Sequence, residues 1–188
     1  FTQVSRETIT SLIKYENYLI ETNKSLNLVG KSTINNIWIR HFLDSSQLID
    51  FIDKNIKSAT DIGTGAGFPG LIISILAKDR KIPIKVSLIE KSRKKAIFLN
   101  KVINDLSLDV KVLNLNVFEL INKIQTELII ARAFKPLEII LQLLDQKAKN
   151  WKKILLFLGK TGKKELLQAS KSWDMKYKQR MSVTSTDS

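Results

Sequence analysis

A ten-residue run from Asp61 to Gly70 carries the strongest chemical signal in this sequence. It reads Asp-Ile-Gly-Thr-Gly-Ala-Gly-Phe-Pro-Gly and lies between an apolar stretch of strand length and an apolar stretch of helix length. Ligand-binding turns of α/β proteins occupy this position, and their glycines permit a tight turn and close approach of a ligand to the backbone. The run therefore predicts a turn that binds a nucleotide-like molecule.

Two classes of ligand use such a turn, and the spacing of the glycines distinguishes them. A dinucleotide turn has the pattern G-x-G-x-x-G; this pattern fits from Gly65 but fails from Gly63, because Phe68 takes the third glycine position. An acid followed by three alternating glycines is typical of methyltransferases and matches fully from Asp61 to Gly67. A carboxylate attracts the ammonium and sulfonium groups of S-adenosylmethionine and repels a pyrophosphate. We therefore expect S-adenosylmethionine as cofactor. The alternative is that the turn binds a nicotinamide dinucleotide and that the protein is an NAD(P)-dependent oxidoreductase.

Two charged residues follow later strand candidates directly. Glu90 comes after Ile84–Ile89, where a carboxylate can accept hydrogen bonds from a ribose. Arg132 comes after Leu128–Ala131, and ligands of parallel sheets bind outside the carboxyl ends of the strands. A guanidinium there can hold the cofactor carboxylate or a phosphate of the target. An ordinary surface arginine is the alternative for Arg132.

The elements that must position these residues alternate between strand and helix. Five apolar stretches are strand candidates: Ala59–Ile62, Ile84–Ile89, Val110–Leu115, Leu128–Ala131 and Ile154–Leu158. Helices are predicted for Leu71–Ala77, Ser92–Leu106, Phe118–Ile124, the segment after Pro136, and Lys163–Trp173. Alternation at these lengths predicts an α/β, Rossmann-like fold of the class I methyltransferase type, with a mostly parallel sheet and helices on both faces.

Residues 1–55 are interpreted as an N-terminal helical extension, and residues 56–188 as the cofactor-binding domain, the two forming one compact unit. A first helix, Ser5–Glu21, has its predicted apolar stripe at Ile9, Leu12, Ile13, Leu19 and Ile20. A second helix runs from Thr33 to about Asp53, with a predicted buried face of Ile34, Ile37, Trp38, His41 and Phe42. Because the sequence starts with Phe1 rather than Met, we expect the native start to be missing.

Composition narrows the possible partners. The net charge is +13, from 31 basic and 18 acidic residues, which favours a polyanionic partner such as RNA, although an AT-rich genome would also enrich lysine. The absence of cysteine excludes disulfides and thiolate metal sites, and a single histidine excludes a multi-histidine metal centre. No apolar run has the length of a membrane span, so we expect a cytoplasmic protein.

Four motifs, taken in order, resemble those of the ribosomal RNA small subunit methyltransferase G family, also called glucose-inhibited division protein B. They are Arg40-His41-Phe42-Leu43-Asp44-Ser45, Asp61–Gly70, Lys94-Lys95 with Phe98-Leu99, and Arg132-Ala133-Phe134. The resemblance covers about residues 27 to 158. The alternating glycines alone are generic to methyltransferases, whereas the combination of all four motifs is much more specific.

The resemblance implies methylation of N7 of one guanine in 16S rRNA, with S-adenosylmethionine as cofactor and small-subunit rRNA or the ribosomal subunit as partner. We expect a monomer. Together with the glycine turn, it implies cofactor contacts at eight positions: Gly63, Gly65, Gly67, Phe68, Glu90, Val117, Phe118 and Arg132. Lys94 and Lys95 become candidate RNA contacts. Val117 and Phe118 could instead be core residues at a helix start, and the two lysines a solvated helix face.

No residue is predicted to act as an acid or base, because guanine N7 has a lone pair and no proton to remove. His41 lies on an apolar stripe and is predicted to be a hydrogen-bonded core histidine. The sequence departs from the family pattern at Asn116, at Leu158–Gly162 and at its end, Ser188, where relatives continue into a further strand. The last two of these departures keep a third hypothesis open, namely a basic RNA-binding module without catalysis.

Overall fold

Five parallel strands form the central sheet of a computed structural model that describes residues 4–184. The strands are β1 (Ser58–Ile62), β2 (Lys85–Ile89), β3 (Val110–Leu113), β4 (Leu128–Arg132) and β5 (Lys153–Phe157). Their order across the sheet is β3-β2-β1-β4-β5, and all neighbours pair in parallel. The direction of strand addition reverses beside β1. The glycine turn that follows β1 therefore lies at the topological switch point, where open α/β sheets bind ligands.

Helices cover both faces of this sheet, as predicted. They are α1 (Arg6–Asn23), α2 (Gly70–Asp79), α3 (Arg93–Asp105), α4 (Leu137–Lys147) and α5 (Gly162–Ala169). Strand β4 shows the two layers: Leu128 and Ile130 join the core formed with α1, α2 and α3, whereas Ile129 and Ala131 join the core formed with α4. A strand buried on both faces requires an uninterrupted apolar run, which is what the sequence has here.

Helix α1 has the predicted length, but its predicted apolar stripe is partly wrong. Its buried residues are Thr8, Leu12, Tyr15 and Leu19, whose spacing of four, three and four follows one helix face. Ile9, Ile13 and Ile20 are exposed instead. The buried face is therefore centred on Tyr15, and the neighbouring isoleucines point towards solvent.

The segment predicted as one helix from Thr33 to Asp53 is divided into short pieces. It contains a 3-10 turn (Ile34–Asn36), a π-helix (Trp38–Leu43), one α turn (Asp44–Ser46) and a second 3-10 turn (Gln47–Phe51). Hydrogen bonds from i to i+5 give the π-helix more residues per turn, so Ile37 and Phe42, five apart, share the buried side. Trp38 was predicted to be buried and is 37% exposed.

The predicted helix Phe118–Ile124 is also wrong. The structure has a 3-10 turn at Val117–Glu119, followed by a two-residue strand, Ile124–Gln125, that pairs in parallel with Ala148–Lys149. Across residues 4–184, no helix is both long and apolar enough to cross a membrane.

Candidate functional site

The turn after β1 has a backbone that favours glycine at three positions. Gly63, Gly65 and Gly67 have φ angles of +67°, +61° and +105°. A β-carbon at Gly63 would overlap the ring of Phe134, and one at Gly67 would lie 2.5 Å from Leu71. At Gly65 a β-carbon would meet no atom within 4 Å. Gly63 and Gly67 therefore let the turn pack closely, whereas Gly65 faces open space that a ligand can enter.

Asp61 stabilises this turn through hydrogen bonds. Its side chain is completely buried, and its Oδ2 accepts hydrogen bonds from the Thr64 hydroxyl (2.6 Å) and the Gly70 backbone N–H (2.8 Å). Its Oδ1 is buried and accepts no hydrogen bond from the described part of the chain. Burial raises the pKa of Asp61 to about 6, although these two hydrogen bonds act to lower it. An acceptor oxygen without a partner, directly under the turn, is suited to a cationic ligand.

Glu90 lies beside the open glycine. Its Oε2 accepts the Gly65 N–H at 3.0 Å and its Oε1 accepts the Ser92 N–H at 2.7 Å. The Asn114 side chain donates to the Glu90 carbonyl at 2.8 Å, which fixes the end of β2. The structure thus brings together Glu90 and Gly65, which are separate in the sequence. The ribose contact expected of Glu90 stays a prediction.

The aromatic and apolar candidates differ in what a ligand can reach. Val117 is buried in the core on the α4 side, so only its backbone is available. Phe118 is 41% exposed and stacks on Phe134 with ring centroids 6.0 Å apart. Phe68 is buried, and its ring stacks between His41 (4.9 Å) and Tyr15 (5.5 Å). Of these candidates, Phe118 alone presents a ring to solvent.

Arg132 stands at the carboxyl end of β4, but its guanidinium has partners within the protein. It forms an ion pair with Asp44 (2.9 Å), and it donates to the Ser45 hydroxyl (3.3 Å) and to the Arg40 carbonyl. Burial lowers the pKa of Arg132, and the neighbouring Asp44 carboxylate opposes this effect. Arg132 therefore ties the sheet edge to the Arg40–Ser45 segment. Its expected contact with a ligand stays a prediction.

Tyr15 is a site residue that the sequence reasoning missed. It is completely buried, and its hydroxyl donates to the carbonyl of Ala66 in the glycine turn. Its ring stacks on Phe42 (5.4 Å) and Phe68 (5.5 Å). Burial raises the pKa of Tyr15, so the hydroxyl remains a donor. One signal in the sequence could have identified it. Tyr15 follows Leu12 by three residues and precedes Leu19 by four, a spacing that places all three on one buried face of α1.

His41 is hydrogen-bonded, as predicted, but it is half-buried rather than a core residue. Its Nε2 lies 3.0 Å from the Thr33 hydroxyl and its ring stacks on Phe68. Burial, with a smaller contribution from Arg132, lowers its pKa to about 4. His41 is therefore neutral at pH 7, and both its contacts support the helical segment against the glycine turn.

Lys94 and Lys95 lie in the first turn of α3, four and five residues after Glu90 along the chain. Lys94 is exposed and Lys95 half-buried. Lys91 and Arg93, both exposed, extend this group, and none of the four forms a salt bridge with a described residue. Positive charges at a helix N-terminus are unfavourable because the helix dipole has its positive end there. Four unpaired cations in that position form a surface suited to a polyanion.

The strand order, the helices on both faces and the glycine turn define the class I methyltransferase fold. A solved ribosomal protein L11 methylase from Lactobacillus delbrueckii subsp. bulgaricus shares it, with a TM-score of 0.50, 18% identity, and coverage of 73% of this chain and 71% of that one. The model of the rRNA small subunit methyltransferase G family (GidB) matches residues 8–188, and the chain belongs to this family. The predicted fold class and the predicted family are confirmed.

Two named relatives illustrate the similarity. The Ribosomal RNA small subunit methyltransferase G of Pelagibacter ubique is 43% identical over 187 residues, covering 98% of this chain and 87% of the relative. The protein of the same name from Rickettsia akari is 36% identical over 182 residues, covering 97% of this chain and 91% of the relative. Similarity at this level extends across the helical segment, the glycine turn and the sheet.

Proposed function

We propose that this protein transfers a methyl group from S-adenosylmethionine to N7 of one guanine in 16S rRNA. The observation that carries this proposal is a glycine turn with an open position at Gly65, flanked by the carboxylates of Asp61 and Glu90. Family membership supports small-subunit rRNA as the substrate. Nothing in the family match favours the oxidoreductase, and the methyltransferase names of the relatives argue against a module without catalysis.

The residues present fit S-adenosylmethionine better than a dinucleotide. The cofactor carries an ammonium and a sulfonium, whereas a dinucleotide brings a pyrophosphate close to two carboxylates. Asp61 has a buried acceptor oxygen without a partner, and each carboxylate oxygen of Glu90 can accept a further hydrogen bond. The proposed cofactor residues contribute either backbone or side chain: Gly63, Gly65, Gly67, Phe68 and Val117 by backbone, and Glu90, Phe118 and Arg132 by side chain.

The role of the protein in the reaction is to position the two reactants. S-adenosylmethionine, when bound, would supply a methyl group whose bond to the sulfonium breaks as the new bond to guanine N7 forms, leaving S-adenosylhomocysteine. Because N7 uses a lone pair, no base would have to remove a proton. His41 agrees with this scheme, because a pKa of about 4 makes it a weak base and its ring is engaged with Thr33 and Phe68. Correct orientation of reactants can supply about 7–11 kcal/mol of a barrier. The rigid packing under the glycine turn serves that orientation.

RNA binding is assigned to the basic surface beside the turn. Lys94 and Lys95, with Lys91 and Arg93, would contact phosphates at the carboxyl edge of the sheet. Guanine N7 in duplex RNA lies in a deep, narrow groove, so the target guanine belongs to a loop or a distorted helix. We further propose that the protein acts as a monomer in the cytoplasm and that residues 1–55 and 56–188 form one functional unit.

Calorimetry with S-adenosylmethionine and with NADH, followed by transfer of a labelled methyl group to 16S rRNA, tests the proposal. We expect saturable binding of S-adenosylmethionine, none of NADH, and label at a single guanine N7 located by chemical cleavage. Glu90→Gln should weaken cofactor binding. NADH binding alone, or label at another atom, would contradict the proposal. Cofactor binding without transfer to any small-subunit substrate would favour the module without catalysis.

The RNA surface is tested with two pairs of lysine variants. Lys94→Ala with Lys95→Ala should weaken rRNA binding and reduce the slope of log K against log salt by about 0.7–0.9 for each lost phosphate contact. The control pair is Lys54→Ala with Lys57→Ala, both exposed and located before β1, at the opposite edge of the sheet. Equal effects of the two pairs would show a general charge effect and remove the assignment of RNA binding to α3.

A further inference from the structure

The start of the π-helix exposes an unusual set of neighbouring side chains. Trp38 is 37% exposed, Ile39 is 53% exposed, and Arg40 is exposed. These three consecutive exposed residues are called here the indole surface, and the next two residues of the helix, His41 and Phe42, pack against the protein. The indole of Trp38 meets the ring of Phe42 edge-on at 5.1 Å, which fixes its orientation. Single π-helical turns are frequent at functional sites.

The helix that carries the indole surface packs on the glycine turn through its other side. The inward residues of the same helix, His41 and Phe42, lie 4.9 Å and 5.9 Å from the Phe68 ring in that turn. The carbonyl of Arg40 accepts a hydrogen bond from Arg132 at the carboxyl end of β4. The surface is therefore held to the sheet edge where the methyl group is transferred in the proposed function.

The charge of this surface favours an anionic partner. Arg40 forms no salt bridge with any described residue, and its guanidinium lies close enough to Arg132 to lower the pKa of that residue. An apolar protein partner would have to bury this unpaired cation, which is costly. A nucleic acid instead offers phosphates to the guanidinium and a base to the indole.

We propose that Trp38 stacks on an unpaired base of the small-subunit rRNA while Arg40 contacts an adjacent phosphate. This inference rests on the proposed function, which supplies RNA as the substrate, and it adds a contact surface on the N-terminal helical segment to the basic surface of α3. Sequence-specific RNA recognition commonly stacks splayed bases on aromatic side chains. A single-stranded contact agrees with a target guanine that lies outside regular duplex.

The chain offers a matched control for Trp38. Trp151 is 41% exposed, nearly the same as Trp38, but it precedes β5 at the amino edge of the sheet, opposite the glycine turn. The experiment compares Trp38→Ala, Trp38→Phe and Trp151→Ala with the unaltered protein. Equilibrium binding is measured to naked 16S rRNA, to the intact small ribosomal subunit and, as a test of correct folding, to S-adenosylmethionine.

We expect Trp38→Ala to weaken binding to 16S rRNA roughly tenfold, within the range found when a base-stacking aromatic is replaced by alanine. Trp38→Phe, which keeps an aromatic face, should lose much less, and Trp151→Ala should bind as the unaltered protein does. All three variants should bind S-adenosylmethionine normally. Because Trp38 also contacts Phe42, which packs on Phe68 of the glycine turn, normal binding of S-adenosylmethionine by Trp38→Ala separates loss of stacking from a local packing defect.

Three results would overturn the inference: equal rRNA binding by Trp38→Ala and Trp151→Ala, equal loss in both Trp38 variants, or a loss seen with the intact subunit but not with naked rRNA. The last result would indicate a ribosomal protein as the partner. Failure of the proposed function looks different, because the unaltered protein would then bind rRNA but transfer no methyl group. The dependence of rRNA binding on Trp38 is measured without methyl transfer and is judged separately.

Discussion

Two turns in this protein join a parallel strand to a helix through glycines, and they are built differently. The turn after β1 has three glycines with positive φ, whereas neither Gly159 nor Gly162, in the turn after β5, has a positive φ. In the first turn, backbone N–H groups donate hydrogen bonds to the buried Asp61 and to Glu90. The second is followed by Glu165, which accepts hydrogen bonds from Thr161 and from the Leu137 N–H. Backbone shape and the carboxylates from neighbouring strands, rather than glycine content, distinguish the candidate site.

The largest effect is expected from Gly65→Trp. The indole would fill the space in front of the turn, so binding of S-adenosylmethionine should become undetectable by calorimetry. The positive φ of +61° adds a strain of about 1–2 kcal/mol, which the fold should tolerate. Gly159→Trp is the matched variant, because a β-carbon there also meets nothing within 4 Å. Cofactor binding that survives Gly65→Trp would remove the glycine turn from the site.

The pH dependence of stability is the next test of the comparison. Burial raises the pKa of Asp61 from 3.8 to about 6. Between these two pH values the folded protein therefore holds a proton that the unfolded chain has already released. The contribution of Asp61 to the free energy of unfolding therefore falls as the pH rises from about 4 to about 6, by up to roughly 3 kcal/mol. Asp61→Asn removes this contribution, and denaturant unfolding at pH 4.5 and 7.0 measures it.

The Asn variant should thus become more stable relative to the unaltered protein as the pH rises. His41, whose pKa burial lowers to about 4, acts in the opposite direction and is the same in both proteins. Glu165→Gln in the second turn should show no such gain, because hydrogen bonds lower the pKa of that carboxylate. A constant difference between Asp61→Asn and the unaltered protein across this range would refute the raised pKa.

An intermediate effect is expected from Gly67→Ala. Its β-carbon would lie 2.5 Å from Leu71 and 2.7 Å from the Tyr15 hydroxyl, at a φ of +105°. Strain and overpacking at such a position cost about 1–3 kcal/mol. Gly159→Ala, in the second turn, should change the free energy of unfolding by less than about 0.5 kcal/mol. Equal denaturation midpoints for the two variants would show that the turns are equally permissive.

The smallest effect is expected from Tyr15→Phe. The ring remains, but the Ala66 carbonyl loses its donor, which should cost about 1 kcal/mol of stability. Cofactor affinity should fall a few-fold because the turn is less well fixed. Tyr18→Phe on the same helix is the control, since the Tyr18 ring contacts Lys101 rather than the turn. If both variants bind S-adenosylmethionine equally, α1 has no influence on the turn.

The sequence allowed the sheet and the glycine turn to be predicted, because both depend on local patterns. An apolar run such as Leu128–Ala131 and an acid with alternating glycines are visible without tertiary contacts. The contacts of Tyr15 with Ala66 and of Arg132 with Ser45 were not predictable, because the two residues of each pair are far apart in the sequence, by 51 and by 87 positions. The exposure of Trp38 was missed for a different reason: a π-helical turn changes the periodicity on which the prediction relied.

Helix α1 leaves the ribosome well before the elements that it covers. Its residues Leu12, Tyr15 and Leu19 share one core with residues of α2 and α3, which are synthesised more than fifty positions later. An isolated segment of 55 residues buries too little apolar surface to compensate for its loss of chain entropy. We therefore expect α1 to stay unfolded on the nascent chain until α3 has emerged. For the same reason, a gene divided after the codon for Asn55 should yield two fragments that fold only when mixed.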